Sequence, residues 1–328
     1  MRKFPALLLL LLGELIALAA RPAPAFETVE LFGHAYVRVQ DWVRANGFEV
    51  KWPAQSKDVE LTNQGRRLLF TIDSRRAEIN HIIVWLSVPI AQRNGSVYFS
   101  PLDLKTLIVP ILSPPKNPAN TRLKTICLDA GHGGKDPGNQ AGAHQEKRYT
   151  LLLAKEVRDL LSRAGFRVVM TRSGDSYPER SQRPEIARRA RADLFVSFHY
   201  NSVTGPGNGT RGVETYCLTP AGATSTNARG EASDTHAVIG NLTNARSTLL
   251  AYQIQKSLVH RLGMEDRGLK RARFEIFRTA EMPAVLVECG FMSDSAEAQR
   301  IFDQGFRRRM AQAIVDGLLA YRERVERP

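Results

Sequence analysis

Cysteine is nearly absent: three residues in 328, at Cys127, Cys217 and Cys289. The odd count excludes a disulfide framework, and none has a cysteine partner two residues away, which argues against a Cys-rich zinc site. The three read as small buried hydrophobes. Long apolar runs are scarce too. One occurs, "FPALLLLLLGELIALAA" behind Arg2 and Lys3, and no other segment approaches membrane length. Nothing in the sequence resembles a zinc finger, a basic region with heptads or an aromatic RNA-binding signature. The one strongly Gly-rich turn lacks a following Gly-Lys-Ser/Thr, which excludes an ordinary nucleotide P-loop.

Positive charge and apolar content are what the chain does have. Lys and Arg number 46 against 33 Asp and Glu, a net charge of +13, and 43% of residues are hydrophobic. The second figure supports a real core and excludes a mostly disordered chain. The first favours nucleic acid, acidic lipid or an anionic polymer such as a bacterial cell wall, and no nucleic-acid module is present. Short basic clusters at Arg188-Arg189-Arg191 and Arg307-Arg308-Arg309 read as solvated helix faces. The apolar run and the following "RPAPAF" have the layout of a secretory signal, residues 1–25, with an A-x-A cleavage site at Ala23-Pro24-Ala25. Glu14 within the run argues against a membrane helix, and an uncleaved anchor is the alternative. Either way the remainder is expected to be exported, to a periplasm or cell-wall space.

Two rhythms follow. Residues 26–112 read as a small β-rich α+β module for binding or spacing: a strand, helix and strand in "AYVRVQDWVRANGFEVKW", then alternating segments with a hairpin signal at Asn94-Gly95. Its histidines, His34 and His81, stand alone. The module weakly resembles, in pattern only, the N-terminal-like domain of copper amine oxidases, which implies neither copper nor oxidase activity. Three prolines in "SPPKNPANTR" mark 113–123 as a linker. From 124 to 328 strands and helices alternate, which predicts an α/β fold with a mostly parallel twisted sheet and helices on both faces. "EKRYTLLLAKEVRDLLSRAG" is amphipathic and stops at Gly165; "FEIFR" reads as a strand.

In such sheets reactive groups gather at the carboxyl ends of strands. His132 lies just past "ICLDA", His199 ends "LFVSFH" and Glu288 ends "AVLVE". Glu146 opens the helix after the Gly-rich loop and can return to the same rim. Two histidines and a carboxylate form the three-ligand set of a catalytic zinc with a fourth position for water, and a further carboxylate can serve as base. His144 competes for the third position.

These residues sit in stretches that together resemble one family, the zinc-dependent N-acetylmuramoyl-L-alanine amidases (type 3), cell-wall amidases of bacterial daughter-cell separation and spore work. The stretches are "LDAGHGGKDPG", "EKRYTLLLAKEV", "VVMTRSGD", "RADLFVSFHYNS", "GVETYCL" and "PAVLVECGFMSD", spanning 124 to about 322. The resemblance implies one Zn2+ held by His132, Glu146 and His199, Glu288 as the essential catalytic glutamate, and peptidoglycan as substrate, cut between the lactyl group of muramic acid and L-alanine. The glycines around His132 let the chain turn away and keep side chains off the site. Asp129 could fix the tautomer of a ligand imidazole or cap the loop. Asn201 could hold substrate by its amide or shape its loop. Arg172 and Arg183 could meet stem-peptide carboxylates, with internal ion pairs the preferred reading.

Residues 219–248 form a long, polar insertion. Some family members mask zinc here with an extra acid, for which Glu231, Asp234 and His236 are the candidates, and an activator protein could act on the segment. It lacks a strong apolar stripe, so a substrate-groove loop is preferred. A non-catalytic wall-binding protein and a zinc peptidase or deacylase acting on another exported amide are the rival readings.

Overall fold

Residues 26–52, 56–119, 121–203, 209–227 and 235–327 are described by a computed structural model. The expected leader, Glu231 and Asp234 lie outside the described residues. The N-terminal module contains β1 (Thr28–Leu31), β2 (His34–Arg38), α1 (Val39–Asn46), β3 (Glu49–Lys51), β4 (Asp58–Asn63), β5 (Arg66–Thr71), β6 (Arg76–Ile79), β7 (Ile82–Trp85), β8 (Ala91–Arg93) and β9 (Ser96–Phe99). Helical turns close it: α2 (Pro101–Asp103), a π-helical Leu104–Ile108 and α3 (Val109–Leu112). Helix α1 buries Val39, Trp42 and Val43, spaced one helical turn apart. The Asn94-Gly95 signal is realised as the β8–β9 hairpin, with φ of 50° and 72° at its two turn residues.

The second part runs β10 (Thr125–Ala130), β11 (Gln140–Ala141), β12 (His144–Gln145), α4 (Glu146–Arg163), β13 (Arg167–Met170), α5 (Gln182–Arg189), β14 (Leu194–Asn201), β15 (Val213–Leu218), α6 (Asn244–Leu262), β16 (Asp266–Ala272), α7 (Glu275–Arg278), β17 (Ala284–Phe291), α8 (Ser295–Phe302) and α9 (Gln304–Glu326). Strands β13, β10, β14 and β17 are parallel neighbours. The sheet is mixed, because β15 pairs antiparallel with β17 and carries β16 along parallel to itself. Helices α4, α6 and α9 share one apolar cluster on one face; α5 and α7 belong to a second cluster with Cys127, Phe195 and Leu286 on the other. All three cysteines are buried and free.

Two local expectations are corrected. "FEIFR" is not a strand: it forms the short helix α7, which buries Ile276 and Phe277. The strand is the preceding "DRGLKRA", whose charges hid it; Lys270 and Arg271 are 5% and 2% exposed. Glu288 does not end its strand either, since β17 continues to Phe291.

The sheet does not stop between the two parts. Its order is β13-β10-β14-β17-β15-β16-β7-β6-β5-β4-β3, with Leu269 of β16 paired to Val84 of β7. The junction is pinned by side chains: Asp266 accepts from the Ile83 N–H at 2.8 Å, Trp85 Nε1 donates to Arg267 O at 3.1 Å, and the buried Arg271 donates to Thr106 O at 2.8 Å. The proline-rich connection is held along α9, with Asn117 N donating to Val325 O and Leu123 N to Glu326 Oε1. Joining sheets edge to edge satisfies backbone groups that β16 would otherwise leave exposed.

Candidate metal centre

Three elements bring His132, His199 and Glu146 together. Strand β10 is buried at every residue and ends at Ala130, so Gly131 and His132 emerge at its carboxyl end. His132 itself has φ 61°, a left-handed conformation uncommon outside glycine. Strand β14 presents His199, in register with Glu288 of β17, so the two side chains are same-face neighbours. Glu146 is the first residue of α4 and fully buried.

The donor atoms form a nearly equilateral triangle. His132 Nε2 lies 3.0 Å from Glu146 Oε1, His199 Nδ1 lies 3.0 Å from the same oxygen, and the two imidazole nitrogens are 3.1 Å apart. Ligands about 2.0–2.1 Å from a tetrahedral zinc stand about 3.3 Å from one another, so a slight expansion of this triangle fits the ion. The surroundings support that fit. A Cβ on Gly131 would lie 2.4 Å from the His199 ring, and one on Gly138 would lie 2.7 Å from both Glu146 Oε2 and His132 Cδ2. Both positions must be side-chain-free for the donors to converge.

Hydrogen bonds from outside the triangle fix His132 and Glu146. With His132 Nε2 turned to the centre, Nδ1–H donates to Asp136 Oδ2 at 2.8 Å. Glu146 accepts from the Tyr200 N–H on Oε1 and from the Asn139 N–H on Oε2. Burial opposes charge on Glu146, but hydrogen bonds from His132 and His199 and the proximity of those rings outweigh it and hold the carboxyl well below its ordinary range. Burial likewise opposes charge on His132, while Glu146 and then Asp136 raise its pKa overall.

Glu288 is the fourth member. Its Oε2 is closed to solvent and has no hydrogen-bond partner among the described residues. Burial, then the nearby Glu146 and Glu214, push its pKa well above the carboxylate range, with Lys270 pulling the other way. An acid left in this state beside three converging donors is poised to hold or take a proton. A cavity of about 310 Å³ opens over the group, lined by His132, His199 and Glu288, with Tyr177 and Phe274 among its walls. A larger groove of about 1110 Å³ runs between the linker and α9, away from all four residues.

Other expected residues have different places. Asp129 does not touch a ligand imidazole by a hydrogen bond: its oxygens accept from Thr171 Oγ1 at 2.6 Å, Ser197 Oγ at 2.6 Å and Arg183 Nη1 at 2.8 Å. The tautomer-fixing part belongs to Asp136, which lies four residues beyond His132. Arg172 makes no ion pair among the described residues, and its donors are engaged inside the protein. It is 3% exposed, and its guanidinium donates to the carbonyls of Ala130, Gly131, Lys147 and Gly174 and to Thr150 Oγ1. It thereby ties the loop carrying His132 to the helix carrying Glu146. Arg183 makes the expected internal pair with Asp129. Asn201 uses its amide inside the protein, donating to Glu214 Oε1 at 2.8 Å. His144 is outside the triangle, stacked 3.8 Å from Phe302.

Sequence reasoning missed Glu214 and Lys270. Glu214 lies in register with Glu288, is 1% exposed, and accepts from Asn201, Tyr216, Arg267 and Lys270. An acid inside the apolar strand "GVETYCL" was the available signal. In the described part of 219–248, Thr226 is bonded through its backbone to Arg271, and Asn227 donates to Tyr216 OH, whose ring packs 5.3 Å from Phe274. His236 is exposed.

Two histidines and a carboxylate converging beside a further acid, on an α/β sheet, form a donor set able to hold a metal ion. The chain belongs to the N-acetylmuramoyl-L-alanine amidase family, whose model matches residues 126–320; the copper amine oxidase N-terminal domain model matches 23–104. The chain is 34% identical to amidase AmiC of Neisseria meningitidis over 62% of its own length and 53% of that protein. It is 34% identical to amidase LytC of Bacillus subtilis over 60% of its length and 35% of that protein. It thus spans about half or less of these two curated relatives. An amidase structure from Clostridium difficile 630 superposes with a TM-score of 0.51 at 31% identity, covering 61% of this chain and 97% of that one.

Proposed function

We propose that the chain is an exported peptidoglycan hydrolase that cleaves the amide between the lactyl group of N-acetylmuramic acid and L-alanine. His132, Glu146 and His199 hold one zinc ion and Glu288 moves the proton. The observation that carries this reading is the triangle of donor atoms 3.0–3.1 Å apart with the unpartnered Glu288 carboxylate beside it.

When bound, zinc supplies Lewis-acid polarisation and brings the pKa of water down toward neutrality. Asp136 keeps the His132 Nε2 lone pair directed at the centre. Arg172 fixes the spacing between His132 and Glu146. Glu288 takes the proton of the attacking water on the part of its carboxylate that lines the cavity and delivers it to the departing alanine nitrogen. The proton ends on the amine, so the reaction needs no other acid. Phe274, Ile276 and Leu286 give the cavity an apolar wall against which the lactyl and alanyl methyl groups can pack. The basic surface suits an anionic wall polymer, and the leader-like residues 1–25 suit export. A protein engaging 219–248 would act on the cavity through Asn227, Tyr216 and Phe274.

Digestion of purified peptidoglycan, followed by mass analysis, checks this. Stem peptides with a new L-alanine amino terminus should appear, vanish with chelator and return with zinc. Cleavage within the stem peptide would support a peptidase instead. An intact product spectrum would support a binding protein.

A further inference from the structure

The mouth of the cavity carries two charged side chains that the metal centre does not use. Arg180 and Glu275 both line it and both are exposed. Neither has a hydrogen-bond or ion-pair partner among the described residues. Topology sets them on different sides. Arg180 belongs to the loop that follows β13, and Glu275 opens α7, which follows β16; β10, β14, β17 and β15 lie between those two strands.

The neighbouring cations are already engaged. Arg183 donates to Asp129, Pro178 O, Ala130 O and His132 O. Arg172 is occupied by carbonyls, and Lys135 pairs with Glu179 while lying over the Tyr177 ring. Among the described residues that line the cavity, Arg180 is therefore the cation that remains available to a ligand. A guanidinium offers a planar pair of donors matched to a carboxylate.

Resting on the amidase reading, we propose that Arg180 is a specificity-determining residue that receives a substrate carboxylate: the free α-carboxyl group of the residue following L-alanine in the stem peptide. One residue spans at most about 3.5 Å, so that group stays within reach of the cavity mouth when the alanine amide is over the donor triangle. Glu275 on the far side repels an anion and directs it toward Arg180. A stem peptide amidated at this carboxyl offers one neutral acceptor where the acid offers two charged ones.

The test uses two peptidoglycan preparations that differ in whether this carboxyl is free or amidated, with the full chain and its Arg180→Ala and Arg180→Lys variants. The wild type should release stem peptides from the acid form with kcat/KM roughly five- to tenfold higher, the difference residing in KM. Arg180→Ala should bring the acid-to-amide ratio close to one, and Arg180→Lys should fall between. Equal wild-type rates on the two preparations overturn this proposal alone, as does an unchanged ratio in Arg180→Ala. No release from either preparation by the zinc-loaded wild type overturns the amidase reading and this proposal with it.

Discussion

Replacing Glu288 by Gln should lower amide cleavage by about a hundred- to ten-thousandfold, the usual contribution of a positioned general base, and at the same time stabilise the metal-free chain. Both effects have one cause. Oε2 of the half-buried Glu288 is closed to solvent without a partner among the described residues, near the carboxylates of Glu146 and Glu214, and the pKa of the carboxyl is raised. A group that holds its proton more tightly in the folded state costs stability as pH rises above its unfolded value, about 4.3 for Glu. At pH 7, above the unfolded value, the metal-free wild type carries such a cost. The neutral amide removes it. Thermal melts of both chelator-treated proteins should therefore show Glu288→Gln melting higher at pH 7, with the gap closing toward pH 4. A variant that is as active as the wild type would remove Glu288 from the reaction. One that melts lower at pH 7 would mean that the carboxylate is stabilised by contacts this account lacks.

Gly131→Ala should weaken metal binding about ten- to a hundredfold without replacing a ligand. The added Cβ falls 2.4 Å from Cε1 and Nε2 of His199, well inside contact distance. The backbone of β14 is held on both sides by β10 and β17, so the ring moves rather than the strand. Rotating it away opens the triangle at Nδ1. Overpacking of this kind costs about 1–3 kcal/mol of folding stability, while loss of a ligand's support typically costs ten- to a hundredfold in metal affinity. Calorimetric zinc titration and thermal melts separate the two. Wild-type affinity in this variant would show that His199 does not need the position seen here.

The parts of the site that were legible in the sequence are those whose residue type is unusual for its surroundings. A histidine in a Gly-rich turn after a buried strand, and an acid behind "AVLV", have few structural uses, and His132, His199, Glu146 and Glu288 do share one cavity region. The helix α4 was equally plain, because its apolar face repeats over eighteen residues. What stayed hidden depended on partners distant in sequence. Strand β16 carries Lys270 and Arg271, which look solvent-facing until Glu214 and the Thr106 carbonyl are placed beside them. Arg172 and Asn201 looked available for substrate until their hydrogen bonds to the protein itself were visible. Asp129 and Asp136 are both acids near His132; only the left-handed turn at His132 determines that the second one reaches its ring. The edge-to-edge joining of β16 to β7 has no local signature at all, since a linker rich in proline reads as a tether wherever it lies.

The most direct measurement is zinc titration of the chelator-stripped full chain, with X-ray absorption at the zinc edge on the loaded protein. One ion per chain, with two imidazole nitrogens and a carboxylate oxygen near 2.0–2.1 Å, and its loss in His132→Ala, His199→Ala and Glu146→Gln alike, is the expected result. Full stoichiometric binding that survives all three substitutions would contradict the account.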